Sequence, residues 1–160
     1  MNGHDLAMAL RAAYFAMHRL TDAVLARFDL TADQFVVLSC LAEDDAITQK
    51  ELATRANTDQ NTLRPMLVLL EGKGLLERRP HPTDGRARGV HMTNKGKKLL
   101  EKLWKATDSV REGLVGAVRS EEPGQLITQL QRIVAALESR KDRGMQPSLL
   151  KKRPTKVMPK

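Results

Sequence analysis

Between Gly74 and Thr93 the chain leaves helical spacing and then returns to it, and this switch limits the fold more than any other feature. Ahead of it, Leu63, Met66, Leu67 and Leu70 recur at i, i+3, i+4 and i+7, one face of a helix that Thr58 or Asp59 can cap. Gly72 and Gly74 close that helix. Leu75 to Arg79 then reads as a strand, Pro82-Thr83-Asp84-Gly85 as a turn, and Ala87 to Met92 as the returning strand. Upstream, Thr48 with Glu51 forms a capping box for a short helix through Leu52 and Ala53, and a polar turn follows at Asn57. Two short helices joined by a tight turn make a helix-turn-helix, and a hairpin with a basic tip directly after it makes the winged variant.

Helices flank this unit on both sides. Leu6, Leu10, Ala13, Met17, Val24 and Phe28 predict an amphipathic helix over roughly 5–28. Thr31 and Gln34 form a second capping box ahead of Phe35, Val36, Val37, Leu38 and Leu41. Thr93 caps what reads as one long helix carrying Leu99, Leu100, Leu103, Thr107, Val110 and Leu114. Ser120 and Pro123 start a last helix with Leu126, Leu130, Ile133, Val134 and Leu137. Pro65 lies two turns inside its helix, so a local kink is expected there. The fold class is mainly α (α+β), with a two-stranded β wing. Aromatics at 3% speak against an all-β alternative.

The net charge of +8 is unevenly spread. Residues 48–105 hold thirteen basic and six acidic side chains, whereas residues 1–47 hold three and seven. A basic central segment points to a polyanionic partner. Residues 141–160 add seven basic side chains against one acidic, with three prolines and little periodicity, and read as a solvated tail or an extra phosphate-binding arm. No apolar run reaches the length of a membrane helix and no secretory leader opens the chain, so a cytoplasmic protein without a membrane partner is expected.

The stretch TQKELATRANTDQNTLRPMLVLLEGKGLLERRPHPTDGRARGVHMTNKG resembles the winged helix-turn-helix of the MarR family of bacterial transcriptional regulators. Leu52-Ala53 matches the first motif helix, and Leu70-Glu71 with Lys73-Gly74-Leu75 the end of the recognition helix. Arg79 matches the strand, and Pro82, Asp84 and Arg86 the wing. Met92-Thr93 with Gly96 matches the start of the next helix. The segment Thr62 to Leu67 is similar to the branch of OhrR-type hydroperoxide sensors, which carry a reactive cysteine on the first helix. Residues 1–30 here contain none, and Cys40 lies among apolar residues, where a buried structural thiol is expected. The resemblance implies N- and C-terminal helices that interlock into a homodimer. It divides the chain into a dimerisation helix (1–30), the DNA-binding domain (31–100), C-terminal dimerisation helices (101–142) and the basic tail (143–160).

A helix-turn-helix sets the first residues of its second helix against base edges in the major groove of double-stranded DNA. Here those are Gln60, Asn61, Thr62 and Arg64; Gln and Asn suit adenine, Arg suits guanine. Asp59 reads as a cap. Thr48, at a helix N-terminus, is expected to bind phosphate, with Gln49 and Lys50 as weaker candidates. Arg86 matches the family's minor-groove wing arginine, Arg88 is expected at a phosphate, and Asp84 is expected to hold the hairpin.

The family resemblance also implies a small aromatic or anionic effector between the dimer helices and the reading lobe, releasing a repressor from a pseudo-palindromic operator. Arg11, Tyr14, His18 and Phe35 fall on the helices that would line such a pocket, although core packing for Tyr14 and Phe35, an interface role for His18 and a plain surface charge for Arg11 compete with it. His4, His81 and His91 have no metal-ligand spacing, and no cofactor is expected. The chain has no glycine-rich phosphate loop and no nucleophile elbow, so it is not read as an enzyme and no catalytic residue is assigned. Two rivals stay open: a regulator switched by oxidation of Cys40, and a winged-helix module that binds protein.

Overall fold

Most helices of this chain begin on a side-chain oxygen. In the computed structural model, described for residues 2–44, 46–80, 83, 88–118 and 123–142 (backbone alone for 140–142), Asn2 and Asp5 form a capping box at the start of α1 (Gly3–Leu25). Thr31 and Gln34 form another at α2 (Ala32–Ala42), and Thr48 and Glu51 a third at α3 (Gln49–Arg55). Asp59 caps α4 (Gln60–Gly72) and Thr93 caps α5 (Asn94–Ala106). Each cap satisfies N–H groups that the first helical turn leaves without partners. A single 3-10 turn, Ala26–Phe28, follows α1.

The strands β1 (Ile47–Thr48), β2 (Leu76–Pro80) and β3 (Arg88–Met92) form an antiparallel sheet in the order β1-β3-β2. The sequence predicts the hairpin of β2 and β3; β1 is an addition. Ile47 pairs with Val90 and Thr48 with Gly89, so the chain just before α3 is stitched to the returning wing strand. In the hairpin Leu76 faces Met92 and Arg78 faces Val90.

The core lies under the helix-turn-helix. Leu38 of α2, Leu52 of α3, Leu63, Leu67 and Leu70 of α4, Leu76 and Val90 of the sheet and Leu103 of α5 are all fully buried together. Burial of a side chain of this size is worth roughly 1.5–3 kcal/mol, so these leucines hold α4 in place. The chain leaves α4 through a Schellman motif: Gly74 has φ +69°, its N–H bonds to Glu71 O, and Leu75 N–H bonds to Leu70 O. Gly96 opens α5 against that exit; a Cβ there would stand 2.1 Å from Leu75 O, so the position admits only glycine without movement.

The long helix expected after Thr93 is two helices. α5 ends at Ala106 and α6 (Asp108–Ala117) begins two residues on. Thr107 is buried at the break; its hydroxyl donates to Leu103 O and accepts from an Arg111 guanidinium. Chain compactness separates residues 1–114 from 115–160. In the second unit α7 (Pro123–Asp142) has no buried residue among those described. The tail from 143 lies outside the described residues, as does Ser120. No helix among the described residues is long and apolar enough to cross a membrane.

Candidate nucleic-acid interface

The turn between α3 and α4 is tied by backbone bonds. Ala56 N–H reaches Leu52 O, Asn57 N–H reaches Thr54 O and Thr58 N–H reaches Ala53 O, at 2.9, 3.1 and 2.9 Å. Asn57 takes a left-handed backbone, φ +49°, which asparagine tolerates better than most residues. Asp59 then turns the chain into α4. One carboxylate oxygen accepts from Asn61 N–H (2.8 Å) and Thr62 N–H (2.9 Å), and the other accepts from the Thr62 hydroxyl at 2.7 Å. The bonds from Thr62 hold this carboxyl below the usual range of aspartate.

With Leu63, Leu67 and Leu70 turned inward, Gln60, Asn61, Arg64, Pro65, Val68 and Leu69 face solvent. Gln60, Asn61 and Arg64 therefore stand where the sequence places them, on the accessible face of the second helix. Thr62 is exposed as well, but its hydroxyl proton is committed to the cap. The helix continues through Pro65, which leaves Asn61 O without its usual donor four residues on.

At the start of α3 the Thr48 hydroxyl donates to Glu51 (2.8 Å) and accepts from Glu51 N–H (3.2 Å). Its polar groups serve the cap, with the Glu51 carboxylate also accepting Thr48 N–H at 2.9 Å. Gln49 is half-buried and Lys50 exposed.

The arginines of the wing split by role. Arg78 is locked to Glu71: its Nε–H donates at 3.0 Å and its N–H at 3.2 Å, with a second guanidinium contact beside them. That pairing pulls the Glu71 carboxyl below its ordinary range and fixes β2 to the end of α4. Arg79 pairs with Glu77 on the same strand. Arg88 opens β3 opposite Pro80 and is exposed. Arg86 and Asp84, expected at the wing tip, lie outside the described residues.

Of the four residues considered for an effector pocket, Tyr14 and His18 meet, with their ring centres 5.5 Å apart, whereas Arg11 and Phe35 are engaged elsewhere. Arg11 stacks its guanidinium over Phe15, 4.6 Å from the ring centre, on the open surface of α1. Phe35 packs edge-on against Trp104 at 5.3 Å and against the core, so it is a packing residue. His18 sits between two carboxylates, with Nδ1 3.2 Å from Asp22 and Nε2 3.2 Å from Asp33. It joins α1 to α2 there, and Asp22 also accepts Ala32 N–H at 2.7 Å. Tyr14 is about half exposed rather than core, and it lines a cleft of about 500 Å³ with Asp33, Val36, Asn57, Thr58, Thr62 and Met66. Asn57, Thr58 and Thr62 had no sequence signal for this cleft; they meet Tyr14 only once the motif folds against α1. Cys40 is half-buried against the core, and burial pushes its thiol pKa up. A raised pKa depletes the reactive thiolate, which weighs against the oxidation switch.

Comparison with known proteins gives a consistent answer. The sequence pattern of the MarR family matches residues 30–87. The transcriptional regulator HosA of Escherichia coli O111:H- is 35% identical over 131 residues, covering 78% of this chain and 96% of that protein. Among solved structures, the transcriptional repressor CouR bound to a 23-mer DNA duplex superposes with a TM-score of 0.74 at 28% identity, covering 81% of this chain and 92% of that one. The Staphylococcus aureus MepR–DNA complex superposes with a TM-score of 0.76 at 27% identity, covering 82% and 97%.

Proposed function

The chain belongs to the MarR family, and from that membership we propose that it is a dimeric, sequence-specific DNA-binding repressor, released from a pseudo-palindromic operator by a small ligand. One observation carries the DNA-binding part. α4 is anchored by three buried leucines and turns Gln60, Asn61 and Arg64 outward from a capped N-terminal end, within a basic central stretch of the chain. A rigidly held helix with free amide and guanidinium groups at its leading end is what base reading in the major groove requires. Arg88 serves the phosphates, and Arg86 the minor groove.

Dimer formation rests on uncovered apolar surface of the terminal helices. Leu126, Ile127, Leu130, Val134 and Leu137 form an exposed stripe along α7, and α1 exposes Leu6 and Leu20 on one side and Met8 and Phe15 on the other. Surface of this kind calls for a partner. A second copy supplies one and sets two recognition helices about 34–36 Å apart along the DNA.

The cleft at Tyr14 is the effector site in this reading. It touches both α1 and Thr62 of α4, so a molecule bound there favours one placement of the reading helix over another, which any releasing ligand must do. Tyr14, Val36 and Met66 suit an aromatic molecule; Asp33, the charged residue among the described lining, disfavours an anion. Fluorescence anisotropy tests the whole reading, with the DNA upstream of the chain's own gene against a scrambled duplex at several salt concentrations. The expected result is tight binding to the upstream DNA, a strong preference over the scrambled one, and loss of that preference in Arg64→Ala. Equal affinity for both duplexes, or no binding at low salt, contradicts it and favours a protein-binding module.

A further inference from the structure

The face of α4 turned away from the core is not polar throughout. At 100° per residue, Asn61, Pro65, Val68 and Gly72 fall within a sector of about 60° on the side opposite Leu63, Leu67 and Leu70. Arg64 and Leu69 flank that sector. Beyond Asn61, the centre of the outward face is therefore apolar. Val68 is 53% exposed and Leu69 56%, and Pro65 is exposed beside them.

Helix stability gives no reason for these residues. A solvent-facing position in a helix is best filled by a straight-chain residue, yet Val68 is β-branched and gains little burial. Pro65 removes an intrahelical hydrogen bond and is the poorest helix former of all. Two neighbouring positions that break the local rule, on one sector of one helix, point to a surface selected for what it touches.

We propose that Pro65 and Val68 are specificity-determining residues that seat the C5-methyl groups of thymines in the major groove, an assignment that rests on the proposed DNA-reading role of α4. Thymine is the one base that presents an apolar group there, and apolar side chains recognise it by contact. The sector is continuous with Asn61 and flanked by Arg64, so the occupant that these polar groups read also meets the apolar residues. Three apolar side chains are too small a patch for a stable protein interface, which buries about 800 Å² per partner. Pro65 and Val68 are separated by about 4.5 Å along the helix axis. Successive bases on a strand are about 3.4 Å apart, so the two side chains match methyl groups on adjacent or next-adjacent steps. Asn61 and Arg64 then fix purines, and Pro65 and Val68 fix thymines.

The test removes only the methyl group. The full chain selects its best duplex from a randomised pool, and that duplex is resynthesised with deoxyuridine replacing one thymine at a time. One or two thymines per half-site are expected to lose about threefold to tenfold in affinity on losing the methyl, and 5-methylcytosine there to bind better than cytosine. In Val68→Ala the sensitivity is expected to vanish at one of these positions alone, and Val68→Thr, which keeps a methyl, is expected to retain part of it. Both side chains are exposed, so neither variant empties the core; circular dichroism confirms the fold. Affinity unchanged within twofold at every deoxyuridine position, in a chain that still selects a duplex, overturns the assignment and leaves the DNA-reading role standing. Failure of the chain to enrich any duplex overturns both.

Discussion

α4 and α7 both carry leucines at helical spacing, and they use them in opposite ways. α4 buries Leu63, Leu67 and Leu70 at 1% exposure or less, in contact with α2, α3 and the sheet. α7 leaves Leu126, Leu130 and Leu137 exposed by 44%, 37% and 62%. The first pattern makes a structural anchor within one chain, which frees the opposite face for a ligand. The second leaves apolar surface that only another surface can cover. The contrast is one of the middle against the ends, because α1 behaves like α7: of its 23 residues Leu25 alone is buried. The middle of the molecule is self-sufficient and the terminal helices are not.

That contrast can be broken most directly in the core. Leu67→Ala is expected to cost about 2–5 kcal/mol of stability, read as a shift in the urea midpoint, because it empties a site with no exposed surface. A loss below 0.5 kcal/mol would mean that α4 is not anchored as described. Leu130→Glu should do the reverse. Ultracentrifugation is expected to find a monomer with its winged unit intact, and operator affinity is expected to fall by about a hundredfold or more once the two reading helices are no longer linked. A dimer that survives Leu130→Glu, together with one or two similar changes on α7, would remove that helix from the interface.

Arg64→Ala sharpens the comparison from the free side of α4. It is expected to leave stability within about 0.5 kcal/mol of the parent, as exposed substitutions usually do, and to lose about 1–3 kcal/mol of discrimination between operator and mutated operator. The smallest effect concerns acid. The Asp59 and Glu71 carboxyls both titrate below their ordinary range, the first through bonds from Thr62 and the second through Arg78. A depressed folded pKa adds stability that is complete above the unfolded value and is lost as pH falls through the folded one. Asp59 is exposed and Glu71 partly so, so the loss below about pH 4 is expected to be slight, and Glu71→Gln is expected to flatten its share of it in acid titrations followed by circular dichroism.

How far the sequence discloses this molecule depends on the range of the interactions involved. The capping boxes at Thr31 and Thr48, the cap at Asp59 and the exit at Gly74 are all local, and each stands where three or four neighbouring residues place it. β1 is two residues long and exists because Val90, more than forty positions later, pairs with Ile47; no local signal carries that. The break at Thr107 is invisible for a related reason. The apolar spacing of Leu103, Val110 and Leu114 runs on across it, although Thr107, Asp108 and Ser109 are all weak helix formers, and the Thr107 hydroxyl turns back onto Leu103 O there. At the interface, residue type drew attention to Gln60, Asn61, Thr62 and Arg64. The fold adds that Thr62 is spent on the cap and that Pro65 and Val68 share the outward sector, a point that a helical projection of the sequence already contains. For Tyr14 the sequence leaves a pocket role and core packing in competition, and the fold leaves it half exposed, since an apolar face on α1 does not say whether its own chain covers it.

The central claim is that a self-sufficient reading unit is made into a regulator by helices that need a second copy. Native mass spectrometry of the full chain with its upstream duplex, and with a scrambled duplex in competition, tests it in one experiment. The account predicts two chains on each upstream duplex and negligible occupancy of the scrambled one. A single chain per duplex, or equal loading of both, would contradict it.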